Sequence, residues 1–334
     1  MRKFFASIDF WDMLLAAACL ATFLYAAIFV PNFLSGFNLS QLAASASEKA
    51  LLILPMTLLI ITREIDLSIA SVLALTSVIF GLAVQAGIPT LAAIPLTLVF
   101  GAILGAFNGF LVTAFGLQSL VVTLGTMALY RGIGYILLGT GSVNILPPTI
   151  VDFGINNLPG TQIPWTVVPF LLLAPIFAII LQKTPTGKRI YALGGNPEVA
   201  RYSGIDIRRM VFRLFVVSGV VAAIAGIVYT ARLSNARANN ALGMELDVIT
   251  IVLLGGVSVF GGKGKLTGVM LALALIAIIR NVLALNQIGG DAQGMVIGLL
   301  LIGSLLVGNF WRSAQETRQR SRAMRETQRV SSAP

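Results

Sequence analysis

Apolar residues in this chain come in long unbroken runs, without the alternation of half-buried strands or the single apolar stripe of soluble helices. A membrane-crossing helix needs about 20 mostly apolar residues to cover about 30 Å of hydrocarbon. Ten stretches meet or approach that length: 11–30, 41–61, 67–84, 91–115, 117–138, 164–181, 210–231, 246–260, 266–285 and 292–310. The expected fold is all-α, a polytopic membrane protein of about ten transmembrane helices. The eighth stretch is short, and Gly255, Gly256, Gly261 and Gly262 interrupt or end it. A half-helix, a re-entrant piece and a short buried span all fit it. The second stretch is weakened by Glu48 and Lys49, so nine crossings also fit.

Composition agrees with this pattern. Of 334 residues, 57% are hydrophobic and 11% charged, with a mean hydropathy of +0.91. A soluble domain carries roughly a quarter charged residues. The first run is too long for a usual signal-peptide core and has no small-x-small cleavage site after it, so it reads as an uncleaved helix. Cys19 is the only cysteine, which rules out an intrachain disulfide.

The net charge of +10 lies in short pieces between the apolar runs, which argues for membrane orientation and against nucleic acid. With an inside N-terminus and ten crossings, 17 basic residues fall inside. These are Arg2 and Lys3, Arg63, six in 182–209, Lys263 and Lys265, and six arginines after Trp311. Only Arg232 and Arg237 fall outside, the asymmetry that the positive-inside rule demands. Both termini are then cytoplasmic: residues 1–10 form a short N-terminal segment, 11–310 the transmembrane domain, and 311–334 a basic tail. The 139–163 loop lies outside and the 182–209 loop inside.

That inside loop has its own local code. Asn196 is suited to cap a helix, Pro197 to the first helical position, Glu198 to the first turn and Gly204 to a stop. A two-turn helix over 197–203 is expected, held between Lys183, Lys188, Arg189, Arg201, Arg208 and Arg209. The alternative is an ordinary basic surface loop.

Ionisable groups inside a span cost about 2.5–3.5 kcal/mol each on insertion scales and tend to face a bundle interior. Glu48 and Lys49, adjacent and so about 100° apart on a helix, cannot pair face to face. Near the outer end of their span, snorkelling explains them as well as a cavity does. Arg131 precedes Gly132 and Gly134. Asn281 follows Arg280 deep in the ninth stretch, and Asn108 lies among Gly101, Gly105 and Gly109, whose spacing of four marks a close-packing face. If a polar solute crosses, Asn108, Arg131, Asn281 and Glu48 are the candidates to line its path. Asp66 is expected to cap the third helix.

Chemistry is sparse. There is no histidine, no metal-ligand cluster, no nucleophile elbow and no cofactor motif. The glycine-rich run 255–268 lacks the Gly-Lys-Ser/Thr ending of a phosphate loop. No catalytic residue and no ATP hydrolysis are expected of this chain, so uphill transport would need a partner or an ion gradient. The segments 57–71 and 250–264 share an apolar-run-then-turn shape on one predicted side, suggesting a tandem repeat.

Four motifs then stand together: ITREIDLSIAS (61–71), LGTMALYRG (124–132), GKRIYALGGNPEVARYSGI (187–205) and LGGVSVFGGKG (254–264). In this order they resemble the permease subunits of ribose-type ABC importers, whose members serve ribose, arabinose, xylose, rhamnose and autoinducer 2. The resemblance covers the chain from the second stretch to the tenth. It implies a multi-pass bacterial inner-membrane protein, not itself an enzyme. The implied partners are a second permease subunit (alike or different), a cytoplasmic ABC ATPase and a periplasmic sugar-binding protein. It carries the family's ATPase-coupling segment onto Asn196, Pro197, Glu198, Ala200, Arg201 and Gly204. One departure stands out: Arg63 and Glu64 occupy places where the family commonly has two glycines, which opens the way to an added ATPase contact. The VSVFGG run looks nearest to rhamnose permeases, which favours a deoxysugar. The rival expectation is a stand-alone secondary transporter or channel with Glu48 as its proton or cation site.

Overall fold

The computed structural model describes residues 10–290, 292–300 and 302–303. Most of the expected N-terminal segment, the tail 311–334 and the 304–310 end of the tenth stretch lie outside the described residues. The chain divides into two units, Met1–Ile288 and Gly289–Pro334. In the second, residues 292–300 are helical, and the Gln293 N–H donates to Gly289 O.

The first unit is built of helices. They are α1 (Phe10–Phe29), α2 (Gly36–Ile61), α3 (Ile69–Gln85), α4 (Thr90–Ala114), α5 (Ser119–Leu138), α6 (Pro148–Ile155), α7 (Val168–Lys183), α8 (Pro185–Gly195), α9 (Pro197–Tyr202), α10 (Ile207–Leu233), α11 (Met244–Leu254) and α12 (Leu266–Leu285). A single 3-10 turn, Trp165–Val167, leads into α7. The only extended pairings among the described residues are two isolated bridges, Val143 with Ala236 and Asn157 with Pro164. Among the described residues seven helices are long and apolar enough to cross a membrane, and α3 is a shorter apolar helix.

Three expectations change. The eighth stretch is helical only over α11, eleven residues, because Gly255 and Gly256 break it and residues 255–265 turn back toward α12. The second span begins at Gly36, where Ser35 Oγ accepts from the Asn38 N–H, so the polar residues Asn38, Ser40 and Gln41 belong to the helix. Glu48 therefore lies well inside α2 and is wholly buried (0% exposed), which removes snorkelling as its explanation. Finally, the 139–163 loop contains α6, pinned where Gly154 lets the chain lie against Ala231: a Cβ there would sit 2.0 Å from Ala231 O.

The turns gather at two ends. Ile65 N–H donates to Ser119 Oγ, and Gly262 N–H to Ile61 O, so residues 61–68, 116–119 and 255–265 share one end. Residues 139–165 and 234–243 meet at the other through the Val143–Ala236 bridge. The two segments suspected of being repeats, 57–71 and 250–264, thus touch each other.

Helix α10 is the hub, packed on α2, α3 and α4. Its approach to α4 uses the small-residue face seen in the sequence. A Cβ on Gly105 would lie 2.2 Å from Phe215 O, and one on Gly101 2.5 Å from Ala223 Cβ. Without a solvent-driven hydrophobic force between helices, such close backbone contact supplies the packing energy. Gly105→Val is expected to lower resistance to thermal unfolding in detergent by about 1–3 kcal/mol. Gly125→Val, at a glycine with open space around it, should change little.

Candidate functional site

The basic segment 182–209 holds two short helices, α8 and α9, between the end of α7 and the start of α10. Thr184 caps α8 by accepting from the Gly187 N–H (3.4 Å), with Pro185 at the first position. Gly187, Ile190, Leu193 and Gly194 are buried at helical spacing while Lys183, Lys188 and Arg189 face outward. That spacing, together with Thr-Pro ahead of it, is the signal by which α8 could have been found. Asn196 Oδ1 then accepts from the N–H groups of Glu198 (3.0 Å) and Val199 (3.2 Å) to start α9. At its end the Ile205 N–H reaches back to Ala200 O, with Gly204 at φ +79°. This is a Schellman stop, which a left-handed glycine makes at no steric cost. Of the six residues expected to couple, Glu198 and Arg201 are exposed beside Val199 and Tyr202, whereas Ala200 is buried beneath them. Ala200 seats the helix, and the outer residues form its free face.

At the end of α8, just before α9, three backbones meet. Gly194 lies against Ile61 O and the Gly262 N–H, which are hydrogen bonded to each other at 2.8 Å. A Cβ on Gly194 would come within 1.7 Å of that oxygen. Arg63, left-handed at φ +71°, donates from Nε to Gly194 O (2.8 Å) and from Nη2 to Gly195 O (2.9 Å). Tyr191 OH donates to Gly264 O (2.7 Å), and burial pushes this hydroxyl above its usual range, so it remains a donor. The end of α8 is thus fastened to the end of α2 and to the 255–265 turn.

A buried polar chain runs from the same end into the bundle. Asp66 Oδ1 accepts from the Ser68 N–H and hydroxyl, and Oδ2 accepts from the Ser218 hydroxyl of α10. Asp66 therefore holds the turn before α3 and reaches across to α10, beyond the local cap expected of it. Ser68 Oγ accepts from Asn108 Nδ2 (2.7 Å), and Asn108 Oδ1 accepts from Tyr130 OH (3.1 Å). Asn108, 1% exposed, is committed on both sides of its amide.

Counting along α2, α5 and α12 from that end at about 1.5 Å per residue, Glu48, Arg131 and Arg280 all lie about 20 Å deep. Helix α11 begins near that level, and its first turn carries Glu245 and Asp247. Arg232 donates to Glu48 Oε1 (2.5 Å) and lies over the Tyr229 ring. Lys49 and Arg280 share Asp247, at 2.9 and 2.6 Å. As expected, Glu48 and Lys49 go separate ways. Asn281 and Asn38 exchange two hydrogen bonds, at 2.8 and 2.9 Å. Arg131 donates to Ala238 O and Asn240 O, holding the non-helical 234–243 segment that leads into α11. Gly134 contacts Ala238, while Gly132 faces open space. Of the four expected path residues, Glu48 and Arg131 lie at this depth; Asn281 is paired with Asn38, ten residues nearer the start of α2, and Asn108 lies in the buried polar chain. The partners Arg232, Asp247 and Asn38 carry no signal of their roles in the sequence, because each lies more than 180 residues from its mate or on a helix whose limits differ from the expected ones.

No group in either region is arranged as a nucleophile with its base. What the two regions hold is an exposed short helix, a backbone junction at the end of the helix before it, and charges paired across helices.

The chain matches the family described as branched-chain amino acid transport system, permease component, over residues 38–305. It is 34% identical over 301 residues to the autoinducer 2 import system permease protein of Photorhabdus laumondii, covering 87% of this chain and 89% of that protein. It is 34% identical to the ribose import permease protein of Haemophilus influenzae (84% and 87% covered). It is 33% identical to the L-arabinose transport system permease protein of Escherichia coli (92% and 93% covered). No solved structure gives a significant match.

Proposed function

Given that the chain belongs to this permease-component family, and within it to the ribose-type ABC importer permeases of the inner membrane, we propose that it is the membrane subunit through which a monosaccharide is imported, driven by a separate ATPase. The observation that carries the reading is α9: a capped, exposed helix that directly follows the close backbone junction at the end of α8, placed to receive force from outside the bundle. In this reading the α9 end is cytoplasmic, α11 with residues 234–243 makes the eighth of ten crossings, and the basic tail stays inside. A second permease subunit completes the path, and a periplasmic binding protein delivers the sugar. ATP binding closes the partner dimer, α9 moves with it, and the paired chains switch from inward- to outward-facing.

The polar layer with Glu48 and Arg131, together with Asn281 toward the start of α2, is the part we assign to the solute path. Asn108 belongs to the scaffold beneath it. Glu48, Lys49, Asp247 and Arg280 are already paired and Arg131 is held by backbone carbonyls, which fits a passage that needs little affinity of its own. For the sugar we favour a deoxysugar such as rhamnose, from the likeness of the run 257–262, VSVFGG, to rhamnose permeases.

The docking role has a direct test. Tagged protein should co-purify with an ABC ATPase. Glu198→Lys, which places a positive charge at the positive end of α9, and Gly204→Asp, which puts a side chain at a left-handed position, should each reduce the captured ATPase at least tenfold without lowering the amount of permease in the membrane. Capture unchanged by both would remove α9 from the docking surface. Uptake of labelled ribose, L-arabinose and rhamnose with the cognate binding protein names the sugar.

A further inference from the structure

Arg63 is an unusual residue for its place. The backbone there is left-handed, a conformation that favours glycine. Contacts of its side chain offset the strain. Its guanidinium reaches two consecutive carbonyls at the C-terminus of α8, and its stem crosses Gly261: a Cβ on that glycine would meet Arg63 Cγ at 2.4 Å. Helix α2 ends two residues before Arg63, and α8 ends at Gly195. Two helix C-termini, each carrying a partial negative charge, therefore converge on one cation. Only the planar fork of arginine serves two carbonyls in this way.

We propose that Arg63 is a positioning residue that latches α8 to α2 and to the 255–265 turn, so that a displacement of α9 moves α2 and α11 as one body. The proposal rests on reading α9 as the element that receives the stroke. Its consequence lies about 20 Å away. Lys49 on α2 and Asp247 on α11 would travel together, whereas α10, joined to α9 directly through residues 203–206, carries Arg232. The Glu48–Arg232 pair, between α2 and α10, is then the contact where the two bodies can shear. Without the latch, α9 still docks, but its movement is absorbed in the turn at 194–196.

The latch is tested first on the permease alone. In a Cys19→Ser background, spin labels at Tyr202→Cys on α9 and Phe260→Cys on the turn occupy sites that are 92% and 81% exposed. Pulsed dipolar spectroscopy should give one narrow distance distribution with Arg63, at least a twofold broader one with Arg63→Gln, and an intermediate width with Arg63→Lys. An unchanged width in Arg63→Gln overturns the latch. The second test uses proteoliposomes holding the permease with its ATPase and binding protein, with ribose, L-arabinose and rhamnose as probes. Arg63→Gln should keep the captured ATPase and raise ATP hydrolysed per sugar moved at least fivefold. A proportional fall in hydrolysis and uptake, or loss of the ATPase, overturns the proposal. If no ATPase associates with the Arg63 protein, the docking reading of α9 fails, and the spin-label widths still decide the latch.

Discussion

Glu48→Ala is expected to destabilise the protein by about 3–5 kcal/mol, the cost of leaving one member of a buried ion pair without its partner. The carboxylate is wholly buried and accepts from Arg232 at 2.5 Å, while its second oxygen has no hydrogen-bond partner among the described residues. The guanidinium is better placed, with its side chain 21% exposed and a tyrosine ring below it. A bare pair of this kind gives little net stability, since desolvation cancels most of the Coulomb attraction. The double variant Glu48→Leu/Arg232→Met should therefore recover most of the loss. Unfolding in detergent for the two single variants and the double closes the cycle. A double variant as unstable as the sum of the singles would show that the two side chains act independently. The same set separates stability from transport: if the pair is a moving contact, the apolar double variant folds well and transports poorly.

Gly194→Ala is expected to abolish uptake while leaving the spans assembled. The added methyl would stand 1.7 Å from Ile61 O and 2.4 Å from the Gly262 N–H. Both are backbone atoms, so no side chain can swing aside. Either the Gly262–Ile61 hydrogen bond breaks or α8 lifts off its seat by more than 1 Å or so, since contacts below about 3 Å are not tolerated. The neighbouring glycine is the control. A methyl added at Gly195 would have nothing within 4 Å of it, and Gly195→Ala should keep at least half of wild-type uptake. Transport by the two variants at matched membrane levels decides it, and equal activity would mean that the junction is not part of the moving train.

What could be read in advance was what depends on neighbours in sequence. The cap at Asn196 and the stop at Gly204 involve residues within five positions of each other, and both stand as the residue types dictate. Helix α12 spans 266–285 as its apolar run requires. The glycine face of α4 also announced itself, because spacing of four is a property of one helix. Helix boundaries failed where polar residues continue a helix: Asn38 and Ser40 hid the start of α2, and Glu48 was misplaced in consequence. Helix α8 was concealed by its charge, since its buried face is only Gly187, Ile190, Leu193 and Gly194. The junction at Gly194 and the pairs of the polar layer join segments 33 to 243 residues apart. No local pattern encodes such contacts; a glycine needed for close approach looks like any other glycine.

The brevity of α11 bears on how the protein is made. Eleven helical residues cover about 16 Å, roughly half the hydrocarbon thickness. On its own this segment, with Glu245 and Asp247 in its first turn, has little reason to leave the translocon for lipid. Asp247 finds its cations on helices synthesised both earlier and later: Lys49 is long finished, but Arg280 emerges some thirty residues after Asp247. Insertion of α11 should therefore wait for α12, the two being released together as a hairpin onto the already seated α2. Nascent chains truncated before Arg280 should leave α11 accessible to water-soluble thiol reagents, and chains extended past it should not.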